Sequence, residues 1–451
     1  MRKILYVLVA IGMLTACVKE EAPRVHSEWA YNATLYELNT RQVTPEGTFA
    51  AAEQLLPQMR ECGIDAIWVM PCQPIGVITR KGTLGSYYSI IDYCQINPEF
   101  GTMDDFKHFL KTAHSLGIKV ILDWVANHTA PDSEWTKNEG WHYRDSLGNL
   151  MVQYDWTDIS KLNYDNRDMR RAMIDAMAFW MDSVGIDGFR CDVAGEVPTD
   201  FWNEAYGELR AKHPKMFALC EDEEKAQELT ETAFDMYYGW EIHHLMNDVA
   251  QGKKNVEDLW NYFAKCDTTI RPEAIRLNFT SNHDENSWAG TEMERMGDAQ
   301  FLFAAFTYIV PGMPLIYTGQ PSGNHHRLSF FEKDTIDVVE NAPQLPLYTA
   351  LNTLREKNEA LWSPELGAKM DRLACDNDNI FACVRHKAGR WSFLDNTVIA
   401  VMNMSAEPQE VTVDLTGYEG RYRCMQCGKK KKLENTVTLN LEPWAYRIYT
   451  R

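Results

Sequence analysis

The chain has 451 residues, with 45 Lys and Arg against 64 Asp and Glu, a formal net charge of -19 at pH 7. Such acidity excludes nucleic acid and anionic membrane surfaces as partners, since both need a basic face. The length suits a barrel of about 250 residues with an accessory module, and 14 Trp and 20 Tyr offer aromatic faces that suit sugar rings, although most buried aromatics simply pack.

Met1, Arg2 and Lys3 are basic, residues 4–13 are apolar, and Leu14-Thr15-Ala16-Cys17 follows. The apolar run is too short to span a membrane as a mature helix and reads as an export signal. LTAC resembles a bacterial lipobox, in which Cys17 is lipidated and becomes the new N-terminus. Lys19-Glu20-Glu21 resembles the short export tags of surface lipoproteins. On this reading residues 1–17 are a signal peptide and 18–28 a tether. The protein is then an exported outer-membrane lipoprotein that meets the membrane only through the lipid on Cys17. An ordinary secretory signal cut elsewhere is the rival reading.

From Trp29 short apolar strands alternate with longer amphipathic stretches. Strands are expected at 34–39, 65–71, 119–125, 188–192, 216–221, 233–238, 274–279 and 314–319. Helices are expected at 49–62, 103–116, 167–184, 199–212, 256–266, 298–310 and 347–357. Eight such strands imply an α/β fold, a (β/α)8 TIM barrel. Between Thr129 and Lys161 the sequence turns polar, aromatic and irregular. That stretch is too long for an ordinary loop and reads as a small inserted subdomain. The barrel therefore occupies 29–128 and 162–360. Short strands at 380–385, 397–404, 410–415, 422–425, 436–441 and 445–450 make 361–451 a C-terminal antiparallel β-sandwich.

Cys191 and Cys220 lie in apolar strands and read as small hydrophobes. Cys424 and Cys427 form a single CxxC with no second pair at metal spacing, which argues against zinc. The basic run 429–432 reads as a solvated turn.

The strand ends carry the chemistry. Arg190 and Asp192, two apart on one strand, face the same way, so the guanidinium is expected to hold Asp192 ionised as a nucleophile. Taken alone the pair would be a structural ion pair. Asp123, Glu221 and Asp284 end the third, fifth and seventh strands, and a barrel brings such ends to one rim. Glycosidic cleavage needs one carboxylate to attack and a protonated one to serve the leaving oxygen. Crowding by other carboxylates is expected to raise Glu221 and make it that acid.

DWVANH (123–128), GFRCD (188–192), Glu221 at a strand end and SNHD (281–284) resemble, in order and spacing, the four short regions of the α-amylase family of glycoside hydrolases. The resemblance implies that Asp192 is the nucleophile, Glu221 the acid/base and Asp284 the third carboxylate. It also implies that Arg190, His128, His283 and Asp123 bind substrate and that Tyr88 stacks under the sugar. Two positions before Tyr88 the family often has histidine; Ser86 stands here.

DVAGEV (192–197) and Lys161-Leu162-Asn163 resemble segments of the neopullulanase, cyclomaltodextrinase and maltogenic amylase subgroup, with Gly195 in place of Asn. That subgroup carries an N-terminal β-domain, and here a short tether precedes Trp29, so a monomer is favoured. Typical family members place a calcium-binding aspartate where Lys161 stands. With Asn127 alone left at the family calcium position, no metal is expected there and no cofactor is required.

The implied function is retaining hydrolysis of α-1,4 glucosidic bonds, with α-1,6 bonds left open, of maltooligosaccharides, starch fragments, pullulan or cyclodextrins, through a glucosyl-Asp192 intermediate. An α-glucan transglycosylase shares the first step. A binding relative without catalysis is the alternative of another class, and loss of a carboxylate would mark it. Trp135, Trp141, Tyr143 and Trp156 have two readings, sugar subsites or the core of the inserted subdomain. Glu196 is expected within reach of a neighbouring sugar, while Asp222 and Glu223 read as loop charges.

Overall fold

The computed structural model describes residues 26–390 and 394–451. The expected signal and all but the last residues of the tether therefore lie outside the described residues. Eight parallel strands close a barrel: β1 Leu35–Leu38, β2 Ala66–Val69, β3 Lys119–Trp124, β6 Gly188–Cys191, β7 Phe217–Cys220, β8 Met236–Tyr238, β9 Ile275–Asn278 and β10 Met313–Tyr317. Between β3 and β6 the chain leaves the barrel through β4 His128–Thr129 and returns through β5 Ser160–Lys161, which pair antiparallel as a neck. This neck bounds the excursion between His128 and Lys161.

Side chains alternate along each strand, so every second residue points inward. Leu35, Ala66, Trp68, Ile121, Phe217, Leu219, Met236, Tyr238, Ile275, Leu277, Met313 and Leu315 fill the interior as one buried cluster. Their odd neighbours, such as Ile67, Val120, Phe189 and Ala218, face the surrounding helices in a second, larger cluster. The same parity carries Glu37, Asp123, Asp192 and Glu221 to the inward face at the C-terminal rim, one step above the apolar layers. Burial of these apolar layers stabilises the barrel, and the rim is where charge is tolerated.

After helix Gln344–Lys357 the chain forms β11 Met370–Arg372, β12 Ile380–Lys387, β13 Asn396–Asn403, β14 Gln409–Asp414, β15 Gly420–Cys424, β16 Lys430–Leu433, β17 Thr436–Leu441 and β18 Tyr446–Thr450. One sheet runs in the order β11-β12-β13-β18-β15-β16, and β14 pairs with β17 in another. Val384, Ile399, Val411, Val413, Leu439 and Tyr449 share one buried cluster, so the two sheets pack face to face as a sandwich.

Four expectations are corrected. The helix over 49–62 is two helices, Phe49–Glu53 and Leu56–Cys62, because Pro57 cannot continue an i to i-4 ladder and starts a new helix instead. The strand over 233–238 begins only at Met236; Asp235 instead turns its carboxylate back to accept from Ala218 N at 2.8 Å. The helix Trp240–Ala250 was not anticipated. The lysine run expected as a turn is largely strand β16, whose exposed lysines guard a sheet edge against pairing with another chain.

All ten cysteines among the described residues are free, and Cys191 and Cys220 are buried. Among the described residues no helix is long and apolar enough to cross a membrane.

Candidate active site

The rim groups meet around one guanidinium. Arg190, fully buried, places Nη1 2.9 Å from Asp123 Oδ1 and 3.1 Å from Asp192 Oδ1. Its Nη2 lies 2.8 Å from Glu221 Oε2, a charge contact without an aligned hydrogen bond. The guanidinium carbon sits 4.7 Å from the centre of the Trp68 ring, which holds it from beneath. Glu221 Oε2 also accepts from Val193 N at 2.9 Å. Val193 makes that contact from a backbone φ of +36°, a strained conformation for a β-branched residue.

One cavity of about 400 Å³ is lined by Asp192, Glu221, Asp284, Tyr88, His128 and His283, so six of the expected site residues face a common space. Arg190 and Asp123 do not. Asp123 is fully buried and its two oxygens are taken by Arg190, by Trp68 Nε1 at 3.0 Å and by Tyr88 Oη at 3.1 Å. These two residues therefore stand behind the cavity wall and hold Asp192, Glu221 and Tyr88 in place.

The proton affinities of His283 and His128 are pushed in opposite directions. His283 Nδ1 lies 2.5 Å from Glu37 Oε1, and Nε2 meets Tyr88 Oη at 2.7 Å and Asp284 Oδ2 at 3.4 Å. Burial alone would lower its pKa, but Asp284 and Glu37 outweigh burial and raise it to about 9. His128 is pushed down to about 4 by burial. Asn127 Nδ2 lies 3.1 Å from His128 Nδ1, and with the amide donating the imidazole keeps its proton on Nε2. That Nε2 is buried without an aligned hydrogen bond among the described residues, although the Tyr88 backbone lies close enough to act on the ring, and the ring lines the cavity.

Arg190 was expected to keep Asp192 ionised and leave Glu221 to take the proton. The guanidinium instead touches both. Burial and the charge of Glu221 push Asp192 well above the usual carboxylate range, against the pull of Arg190. Burial raises Glu221 as well, with Arg190 opposing and Asp284 adding to the rise. Two carboxylates on one buried cation share proton affinity, and Arg190 alone does not separate their roles.

Several neighbours were missed. Glu37 lies one residue before the end of β1 on the inward parity, close to the acidic-strand-end pattern that found the others, but it was passed over within an apolar strand. Trp288, Phe330 and Phe331 also line the cavity, with Trp288 and Phe330 5.1 Å apart. Of the four aromatics of the excursion, Trp156 lines the cavity, 5.8 Å from the His128 ring. Trp135 packs 5.2 Å from Trp141 and 4.8 Å from Tyr93 as subdomain core. Ser86 also lines the cavity and accepts from Tyr88 N at 3.1 Å. Glu196 is bound by Gln153 Nε2 at 2.8 Å and Tyr154 Oη at 2.6 Å, at the edge of a neighbouring groove.

The family calcium position does not fit a cation. Asn127 Nδ2 donates to Gln153 Oε1 at 2.7 Å, and the Lys161 ammonium lies 3.7 Å from Glu196 Oε2, so a positive charge is already placed there. Among the described residues no group of three or more His, Cys, Asp or Glu gathers that would hold a metal ion.

A closed parallel barrel with paired carboxylates on its C-terminal rim, over a buried arginine, defines a barrel glycosidase site. A family model for the alpha-amylase catalytic domain matches residues 31–140 and 133–344. The chain belongs to that family of glycoside hydrolases. An alpha-amylase of Haloarcula japonica is 27% identical over 314 residues, 66% of this chain, and the match spans 45% of that relative. Alpha-amylase 3 of Dictyoglomus thermophilum is 25% identical over 71% of this chain and 69% of its own length. Among solved structures, an alpha-amylase of Lactobacillus plantarum superimposes with a TM-score of 0.83 at 29% identity, covering 94% of this chain and 99% of that one. A noncanonic maltogenic alpha-amylase of Thermotoga neapolitana gives 0.82 at 27% identity, covering 93% and 99%.

Proposed function

We propose that the protein hydrolyses α-1,4 glucosidic bonds, and α-1,6 bonds with them, in maltooligosaccharides and starch fragments, with retention at the anomeric carbon. The observation that carries this reading is that Asp192, Glu221 and Asp284 line one cavity, the first two on a single buried guanidinium. Asp192 attacks the anomeric carbon while Glu221 gives its proton to the departing oxygen. A β-glucosyl ester on Asp192 forms, and water deprotonated by Glu221 opens it. Asp284, His283 and the His128 Nε2–H bind hydroxyls of the reacting ring. Tyr88, fixed by Asp123 and His283, lies under it.

Glu221 is the acid on this reading because it borders a second groove, shared with Trp156 and Val193, into which a leaving sugar departs. That groove also favours transfer to an acceptor sugar as a second reading, because Trp240 stacks on His244 there at 5.9 Å and 20° and offers a flat platform. Product sizes from maltohexaose, pullulan and β-cyclodextrin separate hydrolysis from transfer, since transfer gives chains longer than the substrate, and proton NMR of the first product reads its anomer. An α-configured first product supports retention. A β product rejects it.

Three further points belong to the proposal. Calcium is not needed at the Asn127 position, because the Lys161 ammonium supports the subdomain neck; a chelator that lowers the melting temperature would reject this. The enzyme acts as a monomer, which sedimentation tests. It is exported and anchored through Cys17, so mass spectrometry of the mature membrane-bound protein should find residues 1–16 removed.

A further inference from the structure

Two cavities meet at Glu221. The first is lined by Asp192, Asp284 and Tyr88, and also by Lys81 and Phe331. The second, of about 960 Å³, runs from Glu221 past Glu196 and Trp240. A proton donor stands beside the oxygen being released, so the leaving sugar occupies the second cavity and the sugar under attack occupies the first.

Beyond the attacked sugar the first cavity meets a strap, residues 79–84, which crosses from the inserted subdomain to the loop after β10. At the subdomain end Thr79 Oγ1 donates to Thr157 O at 2.9 Å, and Lys81 Nζ lies 3.2 Å from Asp158 Oδ1. At the other end Thr83 N donates to Glu332 Oε1 at 2.8 Å, the Thr83 hydroxyl donates to the second oxygen of that carboxylate, and Leu84 N donates to Phe331 O at 3.1 Å. Gly82 makes the approach possible. A Cβ there would lie 2.6 Å from both Glu332 Oε1 and Phe331 Cβ.

The loop itself is fastened from below. Arg41 Nη1 donates to Gly85 O at 3.0 Å and to Phe330 O at 3.3 Å, and Gln42 Nε2 donates to Ser329 O at 2.8 Å and Glu332 O at 2.9 Å. A strap bound at both ends, with its far end and the loop after β10 both tied to Arg41 and Gln42 just beyond β1, is a fixed wall.

We infer that this strap closes the cleft on the non-reducing side, so that the enzyme releases short units from chain ends and does not cut within a chain. The inference rests on the glycosidase reading above. Lys81 and Asp158 both line this cavity, and Lys81 Nζ stands 6.0 Å from the centre of the Phe331 ring. The pair presents an ammonium and a carboxylate to the free hydroxyls of the terminal sugar, where a longer chain would have to continue. Cyclodextrins, which have no end, are excluded on the same ground.

The test compares p-nitrophenyl maltoheptaoside with the same compound carrying a 4,6-O-ethylidene group on its non-reducing glucose. Products are followed by chromatography. The blocked compound is expected to react at least 100-fold more slowly, and the free one to release glucose or maltose first. Equal rates on the two overturn the inference while leaving the glycosidase reading intact. Cleavage of neither overturns that reading and the inference with it. The double variant Lys81→Ala with Glu332→Ala is expected to raise the blocked-to-free rate ratio at least tenfold. An unchanged ratio in a folded double variant rejects the strap as the cause.

Discussion

Arg190 Nη1 stands 3.1 Å from Asp192 Oδ1, two residues further along the same chain segment, and 2.9 Å from Asp123 on the neighbouring strand. With Glu221 on the other nitrogen, one guanidinium answers three carboxylates in a water-poor site. Removing the cation alone leaves buried charges without a counter-charge, which costs about 3–5 kcal/mol. Arg190→Ala is therefore expected to lose most of its folding stability in thermal melts. Arg190→Lys keeps the charge but lacks the fork, and is expected to fold with kcat/KM lowered at least about 100-fold. An Arg190→Ala enzyme of native stability would contradict this reading of the cluster.

Asp192 is held against its own preference, since burial and Glu221 both disfavour its charge. Asp192→Asn removes that conflict. Its melting temperature is expected to equal or exceed that of the native protein, while turnover of maltohexaose falls by about 10⁴-fold or more. A large loss of both would mean that Asp192 is chiefly structural.

The acid limb of the kcat/KM profile should follow the ionisation of the nucleophile. Glu221 and Asp284 both raise Asp192 by like charge. With α-maltosyl fluoride, whose leaving group needs no acid, Glu221→Gln is expected to retain activity and to show an acid limb shifted to lower pH. A limb that moves upward would contradict the coupling.

His283 gives a stability signature of its own. Its folded pKa is raised to about 9, above the ordinary value near 6.5, so the folded protein binds the extra proton. The stabilisation is fully present below about pH 6.5 and is lost as pH rises through about 9. Melting temperatures measured from pH 6 to pH 10 should decline over that window, and His283→Gln should flatten the decline. An unchanged slope would remove His283 as its source.

Gly195 stands where the neighbouring subgroup has asparagine, and a Cβ at that position would lie 2.0 Å from Asp222 Oδ2. Gly195→Asn is expected to cost about 1–3 kcal/mol through overpacking, and Asp222→Ala to relieve most of that cost. Additive losses in a double-mutant cycle of melts would show that the two positions do not compete for space.

The barrel was legible because parallel strands buried on both faces read as continuous apolar runs, and DAIWV and KVILDW need no context to be recognised. The rim carboxylates were legible because acidic residues are unusual at the ends of such runs. Glu37 follows the same rule and was missed only because Leu38 prolongs its strand. The roles of Asp123 and Arg190 were not legible: whether a side chain faces a cavity or stands behind it depends on Trp68 and Tyr88, contributed by other segments. The strap was invisible for the same reason, since Thr83 and Glu332 are 249 positions apart and neither carries a pattern. Strand β16 escaped because edge lysines show no alternation.

The most direct test of the account is a trapped intermediate. Incubation with a 5-fluoro α-glucosyl fluoride, which loses its anomeric fluoride to the attacking carboxylate, followed by peptide mass spectrometry, should find one 5-fluoroglucosyl group on the peptide that contains Asp192, absent from Asp192→Asn. A label on any other residue, or inactivation without a label on that peptide, would contradict it.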